Sequence, residues 1–147
     1  MYKKILLAYD GSESGLRALL DCHEIAQWSQ AEIRLIAVMQ LPMSGLTLEG
    51  GMYDDTLVSS EKTRFQAILE DGLQKLKEAG LTALGEVVMG DAVSEITRCA
   101  STVQADLIVV GHQHLSGWAA RWWRGSVSKA LIEEAPCSVL VVISHRN

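Results

Sequence analysis

Leu107-Ile108-Val109-Val110-Gly111 holds four aliphatic residues in a row and then a glycine. Such a run leaves no polar face, so it reads as a strand buried on both sides, the environment of a central strand in a parallel sheet. Ile5-Leu6-Leu7-Ala8 and Val139-Leu140-Val141-Val142-Ile143 read the same way. A half-exposed strand would alternate apolar and polar residues instead. Working outward, strands are predicted at Lys4 to Tyr9, Ile33 to Met39, Leu84 to Met89, Asp106 to Val110 and Ser138 to Ile143.

Between the strands the apolar spacing becomes helical. Glu13 to Trp28 carries Leu16, Leu19, Leu20, His23 and Ala26 at that spacing. Asp55 to Ala79 carries Val58, Phe65, Ile68, Leu69, Leu73 and Leu76. Asp91 is placed to cap a helix running to Thr102, and Ser126 to Glu134 reads as a short last helix. Gln40 to Asp54, with Pro42, Gly45, Gly50 and Gly51, reads as a loop. Five strands alternating with four helices give βαβ crossovers and one doubly wound parallel α/β sheet with helices on both faces. The expectation is one domain over residues 1–147.

Composition narrows the class. Hydrophobic residues make up 48 % of the chain, enough for a full core. A net charge of -5 argues against duplex nucleic acid as a partner, because phosphate neutralisation needs clustered Lys and Arg. It leaves room for a small anion held by backbone amides. Cys22, Cys99 and Cys137 are scattered and form no Cys-x-x-Cys pair, which fits reduced thiols in a cytoplasm. Asp10 interrupts the first apolar run, so it does not read as a signal peptide, and no run is long enough to span a membrane.

In doubly wound sheets, ligands bind beyond the carboxyl ends of the strands, where strand order reverses. Two segments meet that description. Asp10-Gly11-Ser12 follows the first strand: Ser12 is a sound helix N-cap, and Glu13 suits the helix dipole. That segment is either a capped turn alone or a turn whose Asp10 also accepts from ribose hydroxyls or helps hold Mg²⁺. The second segment runs from Gly111 to Ser128. Gly111 lets backbone approach a ligand, and Gly125-Ser126 opens the last helix, whose free amides favour an anion. The Ser126 and Ser128 hydroxyls can donate to phosphate, or Gly125-Ser126 merely starts a helix.

With these residues in view, the chain resembles the universal stress protein family over its whole length. The resemblance rests on Lys3-Lys4-Ile5-Leu6-Leu7-Ala8-Tyr9-Asp10-Gly11-Ser12, on Ala105 to Gly111, on Gly125-Ser126-Val127-Ser128 and on Ala135-Pro136-Cys137-Ser138-Val139-Leu140-Val141-Val142. It implies a Rossmann-like sheet of order 3-2-1-4-5, the fold shared with adenine nucleotide alpha hydrolases. It implies an ATP-binding regulatory module of stress response, with adenine and ribose near Ala8, Asp10 and Val38, and phosphates at Gly111, Gly125, Ser126, Val127 and Ser128. Val110 and His114 are counted with the nucleotide-binding residues, and Mg²⁺ would be brought by the nucleotide near Asp10. It also implies a homodimer paired through the last strand, Val139 to Ile143, which is too apolar for a bare edge.

Two features depart from the ATP-binding pattern. His114 stands where a second glycine belongs, and the stretch from there to Gly125 is one residue longer. A histidine resists the positive φ a glycine accepts. The alternative is a relative that has lost the motif, binds no nucleotide and acts as a dimeric protein-interaction module. Trp118, Trp122 and Trp123 are either packing for a lid segment or a docking patch for a protein partner. His112 and His114 have a metal-like spacing with no third ligand nearby in sequence, so they read as loop histidines facing solvent or phosphate. No Ser-His-Asp set or metal cage is legible; slow hydrolysis of bound ATP would need positioning only.

Overall fold

The computed structural model describes residues 1–40, 55–114 and 127–145, with backbone only at 55, 113, 114 and 145. Five strands and four helices follow one another along these residues. They are β1 (Lys4–Ala8), α1 (Glu13–Ser29), β2 (Glu32–Met39), α2 (Asp55–Glu78), β3 (Ala83–Met89), α3 (Ala92–Val103), β4 (Leu107–His114), α4 (Val127–Glu134) and β5 (Ser138–His145). All strand pairings are parallel, in the order β3-β2-β1-β4-β5. The doubly wound sheet and its strand order are as expected. Among the described residues, no helix is long and apolar enough to cross a membrane.

Strand parity sorts the core into two layers, because successive strand residues face opposite sides. Ile5, Leu7, Leu107 and Val109 pack with Ala18, Leu19 and Cys22 of α1 and with Leu69 and Leu76 of α2. Leu6, Ile108 and Val110 pack with Ile96, Cys99 and Ala100 of α3 and Leu131 of α4. The predicted apolar face of α1 needs one correction: Leu20 is 51 % exposed. Ala18, Leu19, Cys22 and Ala26 form the buried stripe instead, and Leu20 lies outside it.

The order reverses between β1 and β4, and this seam is fixed at its far end by Asp106. Its carboxylate accepts the Lys3 and Lys4 amides at 2.8 and 3.1 Å, and its own amide donates to the Lys4 carbonyl at 2.9 Å. Leu7 then falls opposite Val109, which sets Ala8 and Val110 side by side at the carboxyl end.

The end of β4 also needs correction. Gly111-His112-Gln113-His114 is read from sequence as loop, but the strand runs through His114. The reason is β5, which pairs Gly111 with Val142 and continues to His114 with His145. The segments carrying Gly125, Ser126, Trp118, Trp122 and Trp123, and most of the predicted Gln40 to Asp54 loop, lie outside the described residues.

A candidate ligand cleft at the strand-order switch

An open cleft of about 200 Å³ lies where β1, β2 and β4 end. Ala8, Asp10, Val38, Val110, Gly111 and Val127 all line it. Six of the expected site residues therefore meet at one place. Ser128, also expected, is buried in the first turn of α4 beside Val127. The backbone of His114 sits further along β4.

The cleft lies on the α3/α4 side of the sheet. Ala8, Val38 and Val127 belong to that side's apolar layer, with Val110 and Ile96 in its core. They make an apolar floor and wall, the usual environment for a flat ring in a ligand pocket. Asp10 and Gln40 supply polar groups at the mouth.

Asp10 does two jobs within its own turn. Its Oδ1 accepts the Ser12 amide at 2.9 Å and also bonds the Ser12 hydroxyl. Ser12 in turn caps α1, its Oγ accepting the Gly15 amide at 3.0 Å and lying 3.0 Å from Ser14 Oγ. Gly11 makes this tight turn with φ +79, a conformation that suits glycine. Ser12 is thus the helix N-cap that was expected. The turn also leaves Asp10 Oδ2 without a hydrogen bond among the described residues, on a residue that lines the cleft.

Gly111 has a packing role that the sequence reading did not contain. A Cβ there would lie 2.3 Å from the Ser14 carbonyl oxygen and 2.7 Å from the Gly15 nitrogen. The first turn of α1 rests directly on this point of β4, and no side chain fits between them. Gly15 is crowded from another side: a Cβ on it would lie 2.7 Å from Asp10 Oδ1.

The cleft also contains residues that sequence reasoning missed: Tyr9, Gly15, Gln40, Ala92 and Ile96. A glycine in the first turn of an otherwise regular helix was a readable signal, since glycine weakens a helix without a local reason. Ala92 and Ile96 carried no signal apart from being one face of α3. Tyr9 joins the rim, while its ring turns to the opposite layer, where it is 3 % exposed. Its hydroxyl donates to Asp71 at 2.9 Å, and Lys75 donates to the same oxygen at 2.6 Å. Burial, then Asp71, pushes the Tyr9 hydroxyl above its usual pKa. Lys75, then Tyr9, holds the Asp71 carboxyl below its own.

A crevice at the switch point is where doubly wound α/β proteins receive their ligands. Comparison then places the chain: residues 1–142 match the universal stress protein family. The chain belongs to that family. It is 34 % identical, over 97 % of its length and 82 % of the relative's, to a universal stress protein of Methanocaldococcus jannaschii. The structure of a universal stress protein in complex with cAMP is 28 % identical, with a TM-score of 0.73 and coverage of 96 % and 97 % of the two chains. A member of the family from Burkholderia pseudomallei shares the fold at 24 % identity, with a TM-score of 0.76 and 96 % coverage of each chain.

Proposed function

We propose that the cleft binds an adenine nucleotide, ATP in the first instance, and that the protein is a nucleotide-responsive regulatory module of a stress response. The observation that carries this reading is the convergence of Ala8, Asp10, Val38, Val110, Gly111 and Val127 on one cleft. The base lies in the apolar slot against Ala8, Val38 and Val110. Asp10 Oδ2 accepts from the ribose. The phosphates reach Gly111 and the start of α4, where Gly125, Ser126, Val127 and Ser128 contribute amides and hydroxyls. His114 borders that path, and Mg²⁺ enters with the nucleotide near Asp10. A relative 28 % identical to this chain has been solved with cAMP, which supports an adenine-bearing ligand. The reading asks for recognition, with no catalytic side chain and at most slow hydrolysis.

The same proposal covers assembly and address. The domain spans residues 1–147 and works in the cytoplasm as a homodimer joined through Val139 to Ile143. β5 is an edge strand, and Ile143 on it is an exposed large apolar residue. Light scattering at micromolar concentration should return twice the chain mass. Nucleic acid and membrane are not partners in this reading, and a protein partner is assigned to Trp118, Trp122 and Trp123.

One observation favours the second reading, a family member that acts by protein contact alone. Gly111 to His114 is extended and paired with β5, rather than curled as a phosphate loop would be. The deciding experiment is calorimetric titration with ATP, ADP and AMP, with and without Mg²⁺, alongside mass spectrometry of any nucleotide released on denaturation. Binding in the micromolar range is expected, with Asp10→Asn weakening it about tenfold, the loss of one charge-assisted hydrogen bond. Asparagine keeps an acceptor for the Ser12 amide, so the turn survives. No heat, no released nucleotide and no effect of Asp10→Asn would leave the second reading standing.

A further inference from the structure

The turn that carries Asp10 is gripped from the far side of the sheet. The Tyr9 ring lies over Gly72 of α2, where an added Cβ would come within 2.8 Å of Tyr9 Cδ1 and Leu35 Cδ2. The Tyr9 hydroxyl donates to Asp71 at 2.9 Å, and Lys75 donates to the same oxygen at 2.6 Å. One helical turn earlier, Ile68 lies against Gly11, its Cγ1 being 3.3 Å from where a Cβ would stand. So α2 touches the residues on both sides of Asp10. Asp10 passes the constraint forward through Ser12 to the Gly15 amide, bonded at 2.9 and 3.0 Å.

Burying the ring does not require the hydroxyl, since phenylalanine would fill the same space. Nor does the ion pair stabilise much, because the Lys75 and Asp71 side chains are 36 % and 50 % exposed. What the hydroxyl adds is direction: it fixes the rotation of Tyr9 against a helix held by its own core contacts. Lys75 fixes the acceptor. We propose that Tyr9 is a positioning residue, which with Asp71 and Lys75 sets how the cleft presents the Asp10 carboxylate to a ribose. The ribose part rests on the nucleotide reading above; the positioning part does not.

The test has two arms. In the ligand-free protein, amide hydrogen exchange is followed at Ser12 and Gly15 in Tyr9→Phe and Lys75→Met. The expected result is exchange about fivefold faster at both amides, with Leu7 and Val109 in the core unchanged. Unchanged exchange at Ser12 and Gly15 overturns the proposal. Equal acceleration at every amide overturns it too, since the contact would then be a general staple. In the second arm, affinities for ATP and 2′-deoxy-ATP are compared. Tyr9→Phe should narrow the preference for ATP about threefold, and should narrow it no further in an Asp10→Asn background. A full effect in that background contradicts action through Asp10. A chain that binds neither nucleotide removes the nucleotide reading, and the exchange arm then decides the positioning role alone.

Discussion

The two sides of the β1–β4 seam are built from alternate residues of the same strands, yet they are opposites. On the α1/α2 side the seam is closed: the first turn of α1 rests on Gly111 with no space for a methyl group, and the Tyr9 ring lies close on Gly72. On the α3/α4 side the same strand ends leave about 200 Å³ of open cleft. The difference teaches how a parallel sheet makes a binding site. One face spends its glycines on close contact and holds the strand ends still. The other face keeps small and medium side chains, Ala8, Ala92 and Val110, and leaves room.

The contrast breaks most visibly at Gly111. Gly111→Val sets a branched side chain against the Ser14 backbone, and neither partner is a flexible side-chain tip. Unfolding in urea should show a loss of about 3 kcal/mol or more, the upper range for overpacking. A loss under about 1 kcal/mol would mean that α1 lifts away freely and that the face is not closed.

A charge probes the same closure. Cys22, fully buried on the inner face of α1, has its thiol pushed from 9.0 up to about 12 by burial. The folded state therefore holds this proton more tightly than the unfolded chain does. The resulting stability is complete below the unfolded value of 9.0 and is lost as pH rises toward about 12. Between pH 8 and 11 the unfolding free energy should fall by about 2–3 kcal/mol from this group. Tyr9, raised by burial and then by Asp71, acts in the same direction. Cys22→Ala should be less stable at neutral pH but visibly flatter above pH 9. An equally steep alkaline limb in that variant would place the loss elsewhere.

The open face was the more legible of the two. Asp10 lies just past a strand end, which the apolar runs mark out, and position beyond a strand end is what a sequence encodes directly; Ala8 and Val38 are what the family resemblance implies. The closed face was hidden because its contacts join residues far apart in sequence. Nothing near Gly111 announces that Ser14 will rest on it, and nothing near Tyr9 announces Asp71. The same limit explains the misplaced end of β4. The residues Gly111 to His114 look like loop in isolation, and only pairing with Val142 to His145 holds them extended. Leu20 was misassigned for a smaller reason: the stripe was drawn through the large apolar side chains and so turned away from the small buried ones, Ala18 and Cys22.

The smallest expected change in stability belongs to the open face, and it separates space from packing. Ala92 begins α3, is buried, and lines the cleft. Ala92→Leu adds bulk where the structure has room, on a helix whose cap, the Asp91 carboxylate bonded to the Ser94 amide at 3.0 Å, is untouched. Stability should therefore move by no more than about 0.5–1 kcal/mol, in contrast to the loss at Gly111. Nucleotide affinity should nevertheless fall at least about tenfold, because the added side chain takes up the slot assigned to the base. If Ala92→Leu destabilised the fold as strongly as Gly111→Val, the cleft would be a packed interior rather than a vacancy. If it left both stability and affinity alone, the base would have to lie elsewhere along the switch point, toward Gln40 and the end of β2.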